Sequence, residues 1–153
     1  MKKIVFIIGA SGSGKTTVAK ELEKTSLSDF KIIYFDSIGV PSFDEMIEKY
    51  QSPEEWQRVK TFEWVEIIKT QFISSTNVIL DGQIRPEFIE AACTHFKIES
   101  YEIILFDCEN AERTKRLVKR GHAELANEQM MNWASYLRRV SQEQGYPILD
   151  TTF

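Results

Sequence analysis

The chain has 153 residues, 42% hydrophobic and 27% charged, with a formal net charge of −4. One domain with a full core fits that length, and the acidic balance disfavours a general nucleic-acid binder, since phosphate backbones attract basic surfaces. The longest apolar run, Ile4 to Ile8, is too short to cross a membrane; Lys2 and Lys3 precede no secretory leader pattern, and Cys93 and Cys108 give no disulfide framework, so a cytoplasmic location is expected.

In chain order, short apolar runs alternate with longer polar stretches. Lys3–Ile8 is a predicted strand ended by Gly9. Residues 9 to 16 then read G-A-S-G-S-G-K-T, which matches G-x-x-x-x-G-K-[ST] between a strand and a helix. Glycines let the backbone curl so that successive N–H groups face phosphate oxygens. The N-terminus of the following helix, Lys15–Lys24, adds its dipole. Gly9, Ala10, Ser11, Gly12, Ser13, Gly14, Lys15, Thr16 and Thr17 are therefore the candidate nucleotide-binding residues. Lys15 is placed on the β and γ phosphates and Thr16 on Mg²⁺.

Lys31–Phe35 is the second predicted strand, ended by Asp36. There a carboxylate either accepts the proton of an acceptor hydroxyl or caps a loop. Ser52 and Pro53 open a predicted helix running to about Phe72. Trp56, Trp64, Tyr50 and Arg58 lie in this region as core or as acceptor contacts. Asn77–Leu80 is the third strand, ended by Asp81-Gly82. Asp81 suits Mg²⁺ as a Walker B acid does, with a turn aspartate as the alternative. Arg85, four residues on, suits a phosphate or carboxylate, with a surface arginine as the alternative.

A helix over Glu87–His95 and a fourth strand, Tyr101–Phe106, follow. Ala111–Arg120 is the next predicted helix and holds five basic residues between Arg113 and Arg120. Arg116 and Arg120 are four apart, on one helix face, and are expected to hold ATP phosphates and stabilise transition-state charge. A solvated basic face is the alternative. Arg138 or Arg139, on a helix over Met130–Glu143 stopped by Gly145, is a further candidate for the same site. Tyr146–Leu149 is a weak fifth strand. His95, His122 and the cysteines show no zinc spacing. Apolar strands alternating with helices imply a three-layer α/β fold with a parallel sheet, its ligands at the carboxyl ends of the strands.

These residues resemble the P-loop kinases of nucleotides and small metabolites over nearly the whole chain. The adenylate kinase pattern is matched by the phosphate loop, by D-G-Q-I-R at Asp81–Arg85, and by Arg116 and Arg120 after Phe106-Asp107. The resemblance implies a P-loop NTPase fold with a five-stranded parallel sheet and helices on both faces. It implies one kinase domain over residues 1–153, an acceptor-binding insert at about 37–75 and a short lid at about 120–129. ATP and Mg²⁺ are the implied cofactors and a small molecule is the acceptor. Arg116 would stack on adenine, Arg120 and Lys15 would act on the phosphates, Arg85 would bind the acceptor, and Thr151 and Thr152 would lie near adenine.

Departures are Ile84 in place of the family's proline and D-S-I-G after the second strand, closer to nucleoside, shikimate or gluconate kinases. The long zinc-bearing lid and the usual final helix are also missing. A GTPase-like switch is the second class, on the D-x-x-G match at Asp36–Gly39, though no N-K-x-D motif occurs. An ATP-binding regulatory module without phosphotransfer is the third. The sequence leaves the acceptor and the oligomeric state open.

Overall fold

The computed structural model describes residues 2–25 and 29–152. Five parallel strands, β1 (Ile4–Ile8), β2 (Phe30–Tyr34), β3 (Asn77–Gly82), β4 (Tyr101–Asp107) and β5 (Ile148–Asp150), form one sheet in the order β2-β3-β1-β4-β5. Helices α1 (Lys15–Lys24), α2 (Phe43–Tyr50), α3 (Pro53–Ile67), α4 (Pro86–His95), α5 (Asn110–Lys119) and α6 (Glu128–Gln144) surround it. The near-continuous apolar character of β1, β3 and β4 has its reason here, because both faces of the sheet are covered. Phe6 is level with Leu80 of β3 and Ile103 of β4. All three are buried in one core with Val65 of α3, Ile89 of α4 and Leu137 of α6. Ile7, Ile79 and Phe106 face the other way, under Val18 and Leu22 of α1.

The helix boundaries follow local chemistry. Ser52 Oγ accepts from the Glu55 amide at 3.0 Å, and Pro53 occupies the first turn of α3. The predicted helix reaches Phe72, but its last turn, Ile68–Phe72, is a π-turn. Asn127 Oδ1 accepts from the Met130 amide at 2.8 Å at the start of α6. Gly145, at φ 74°, ends that helix, and the Tyr146 amide bonds back to Ser141 O at 2.9 Å. Tyr146 thus belongs to the helix terminus, which moves the fifth strand from 146–149 to Ile148–Asp150.

Two other expectations are corrected. Asp81 and Gly82 lie within β3, because β1 and β2 extend the ladder on either side: Asp81 is level with Ile7 and Tyr34. Helix α2 was not expected. It is capped by Ser42 and buries only Met46, while Phe43 and Ile47 are exposed, although Phe43, Met46, Ile47 and Tyr50 stand at the i, i+3, i+4, i+7 spacing of a helix. No helix of the described residues is long and apolar enough to cross a membrane.

Candidate nucleotide and acceptor site

The parallel register sets Ile8 level with Gly82 and Leu105. The chain leaving β1 therefore passes between the ends of β3 and β4, and residues 9–14 curl there into a loop. A Cβ on Gly9 would stand 2.6 Å from Phe106 O, so only glycine fits. Gly14 has φ 89° and caps α1 in a left-handed conformation.

Lys15 opens α1 and is 8% exposed. Burial pushes its ammonium pKa down, opposed by the nearby carboxylates of Asp81 and Asp36. Thr16 Oγ1 donates to Asp81 Oδ2 at 2.9 Å. The other oxygen, Asp81 Oδ1, is buried with no partner among the described residues. Burial raises the Asp81 pKa, while Lys15 and Thr16 pull it back. An orphaned carboxylate oxygen beside a threonine hydroxyl is a donor set that suits Mg²⁺, a hard cation that uses few protein ligands and completes its shell with water and phosphate oxygens.

Asp36 lies in a 3₁₀ turn, Phe35–Ile38. The turn is held by Ser37 Oγ, which donates to Tyr34 O at 2.7 Å. The Asp36 carboxylate itself has no hydrogen bond among the described residues, so it does not cap the turn. It faces a cleft of about 270 Å³ shared with Lys15, Thr16, Lys20, Asp81 and Gln83. A second cavity, of about 300 Å³, is lined by Gly14, Thr17, Arg116, Arg120 and Thr151. The two cavities are lined by neighbouring residues, Lys15 and Thr16 in the first and Gly14 and Thr17 in the second.

The arginines divide in a way the sequence did not show. Arg120 ends α5 exposed in the second cavity. Arg116 donates to Gly12 O and Thr151 Oγ1, each at 3.1 Å, and to Thr151 O. It therefore ties the phosphate loop to the segment after β5. Arg85 donates through Nη1 to Gln57 Oε1 at 3.0 Å, and its guanidinium lies 5.0 Å from the centre of the Trp133 ring. Arg138 does not reach the loop: its Nε bonds Asp107 Oδ2 at 2.5 Å. Arg139 pairs instead with Glu143. Trp56 and Trp64 are structural, Trp56 edge-on to Phe35 and Trp64 donating to Phe35 O. Arg58 is paired with Glu55.

Three residues under the site were missed. Arg113 is fully buried and donates to Asp107 Oδ1 at 3.0 Å and Cys108 O at 2.9 Å. Gln83 and Gln57 bridge the loop to α3 and α6 through their carboxamides. The only sequence signal for Arg113 is its place one turn before Leu117 on the buried face of α5.

Sheet order, parallel strands and a glycine loop at the sheet's mouth define a P-loop NTPase fold. A family model described as AAA domain matches residues 5–147, and the chain belongs to that family. Its structure is similar to a shikimate kinase from Acinetobacter baumannii, at 13% identity and TM-score 0.60 over 100% of this chain and 83% of that one. It is also similar to a gluconokinase from Sinorhizobium meliloti, at 14% and 0.65 over 97% and 82%. A deoxyadenosine kinase from M. mycoides with bound dATP is similar at 14% and 0.61, over 97% and 90%. At such identities the likeness shows the fold. A comparison with curated protein sequences gives no match.

Proposed function

We propose that this chain is a kinase that transfers the γ-phosphoryl group of ATP to a hydroxyl of a small acceptor. The observation that carries the reading is one cleft holding a buried lysine, a Thr16–Asp81 pair with a free carboxylate oxygen, and an unpaired Asp36. Residues 1–153 act as one kinase domain, with the acceptor held by residues 37–75 and a lid at 120–129. ATP enters over the second cavity, whose lining of Gly14, Arg116 and Arg120 adjoins the phosphate loop; a structurally similar deoxyadenosine kinase has bound dATP.

The loop amides of residues 9–14 cradle the phosphates. Arg116 presents the face of its guanidinium to adenine, since its hydrogen bonds to Gly12 and Thr151 lie at the edges. Lys15 and Arg120 stabilise charge on the transferring group, and a lid that closes over it excludes water. Asp36 accepts the proton of the acceptor hydroxyl, and Arg85 orients the acceptor from the far wall. Mg²⁺, held by Thr16 and Asp81, supplies neutralisation of phosphate charge.

ADP release measured across nucleoside, nucleotide, shikimate-like and sugar-acid acceptors tests the reading. At least one acceptor is expected to stimulate release well above the rate with water. Tight ATP binding with no stimulation by any acceptor would instead indicate a binding module.

The metal assignment has its own test. A carboxyl whose folded pKa is raised destabilises the fold as pH rises through that pKa, because the buried charge then appears. A cation on Asp81 relieves that cost. Mg²⁺ is therefore expected to raise the melting temperature of the wild type near neutral pH and to leave Asp81→Asn unmoved. Activity of Asp81→Asn is expected to fall roughly 10²–10³-fold, the scale of losing one charge-stabilising group. An equal Mg²⁺ shift in both proteins would remove Asp81 from the site.

A further inference from the structure

Two carboxamides behind the phosphate loop have orientations fixed by chemistry. Trp133 Nε1 can only donate, and it lies 3.1 Å from one end of the Gln83 side chain. That end must be the oxygen. The Gln83 nitrogen then faces Ser11 Oγ, at 2.9 Å, and donates to it. Gln57 is fixed in the same way. Its oxygen takes the Arg85 amide at 2.9 Å and Nη1 at 3.0 Å, and both are donors. Its nitrogen donates to Gln83 O at 2.9 Å.

The first of these is a one-way chain of donors. It runs from the Trp133 indole through Gln83 to Ser11, and it ends on a Ser11 O–H that donates to nothing among the described residues. Ser11 is the third residue of the phosphate loop. An anion that takes this last proton polarises every link behind it in the same direction. Trp133 sits in the second turn of α6, just past the proposed lid segment, stacked on Tyr136 at 5.7 Å and beside Arg85.

We infer that Gln83 is a positioning residue that couples phosphate at the loop to the lid-side end of α6 and, through Gln57, to the acceptor arginine Arg85. The coupling rests on the nucleotide site proposed above. Trp133 bonds none of the residues assigned to the nucleotide's phosphates, yet its N–H contributes to nucleotide affinity. Binding in turn stiffens the start of α6 and the Arg85 wall, so that the acceptor meets an organised site only after the nucleotide has bound.

The test is a thermodynamic cycle on the whole chain, with calorimetric titration of a non-hydrolysable ATP analogue and Mg²⁺. Trp133→Phe keeps the ring and deletes the donor. It is expected to weaken binding roughly three- to tenfold, the worth of one hydrogen bond. In a Ser11→Ala background the same change is expected to have no effect, because the chain has lost its end. A Gln83→Leu background is expected to behave likewise, and the Ser11 cycle stands alone should that variant fold poorly.

A purely structural role for Trp133 predicts the same loss in every background. That result, or no loss from Trp133→Phe in the wild type, would overturn the coupling while leaving the nucleotide site intact. A wild type that does not bind the analogue would overturn both.

Discussion

Lys15→Met is expected to abolish phosphoryl transfer while leaving the fold intact. Nζ makes no hydrogen bond or ion pair among the described residues, and Met fills the same buried channel as the lysine stem. What is lost is a positive charge on a buried side chain, where electrostatic stabilisation is stronger than in open solvent. The fall in kcat/KM is expected to be about 10²–10³-fold or more, with the melting temperature nearly unchanged.

The pH profile adds a second check. Burial holds the Lys15 pKa below its usual 10.5. Between the folded and unfolded values the unfolded chain binds more protons, so stability rises with pH in that window. Activity moves the other way, because the reaction needs the cation. In the wild type kcat/KM, which reports the free enzyme, is expected to fall on the alkaline side with an inflection below 10.5. The residual rate of Lys15→Met should lack that limb. Full activity in Lys15→Met would refute the assigned site. A shared alkaline limb would show only that another group causes it.

Much of this site was legible because its residues sit at strand ends. A β-rich run followed by Gly9, Asp36 or Asp81 locates a side chain at the mouth of a parallel sheet without any tertiary information. The Gly-rich motif adds a second local signal. What stayed hidden depends on pairs distant in sequence. Gln57 meets Gln83 across 26 positions, and Gln83 meets Trp133 across 50. A lone glutamine carries no periodicity that would announce such a bridge.

The basic run on α5 is one feature in the sequence and several in the fold. Counted as charge, its five cations read as one electrostatic feature. In the fold they have three fates, because 100° per residue turns each to a different neighbour. Arg113 is swallowed by the core, Arg116 ties the loop to Thr151, and Arg120 stands in the cavity. Helix α2 went unread although Phe43, Met46, Ile47 and Tyr50 carry the helical spacing: at eight residues it shows that period only once.

Arg113 belongs to the buried pair whose rupture gives the largest stability effect expected outside the hydrophobic core. Its guanidinium is fully buried and is matched by Asp107, whose other oxygen takes Arg138. Removing one member of a buried pair strands the other's charge, at a cost of about 3–5 kcal/mol. Asp107→Ala leaves Arg113 in that state, since Cys108 O and Ser11 O supply dipoles but no countercharge. For a chain of this length that is a fall in melting temperature of roughly 6–20 °C.

Arg113→Met is expected to cost less. It deletes the buried cation itself and leaves Asp107 paired with Arg138, which reaches solvent. The double variant Arg113→Met/Asp107→Ala is expected to be more stable than Asp107→Ala alone, because no unmatched charge remains inside. Nucleotide affinity should weaken in all three. Arg113 lies directly beneath Gly12, where a Cβ would stand 3.0 Å from its Cγ, and it also bonds Ser11 O, so it is the floor on which the phosphate loop rests. Thermal melts of the three variants decide the matter. Additive losses in the double variant would show that Arg113 and Asp107 contribute separately, and that the loop rests on packing rather than on a buried charge pair.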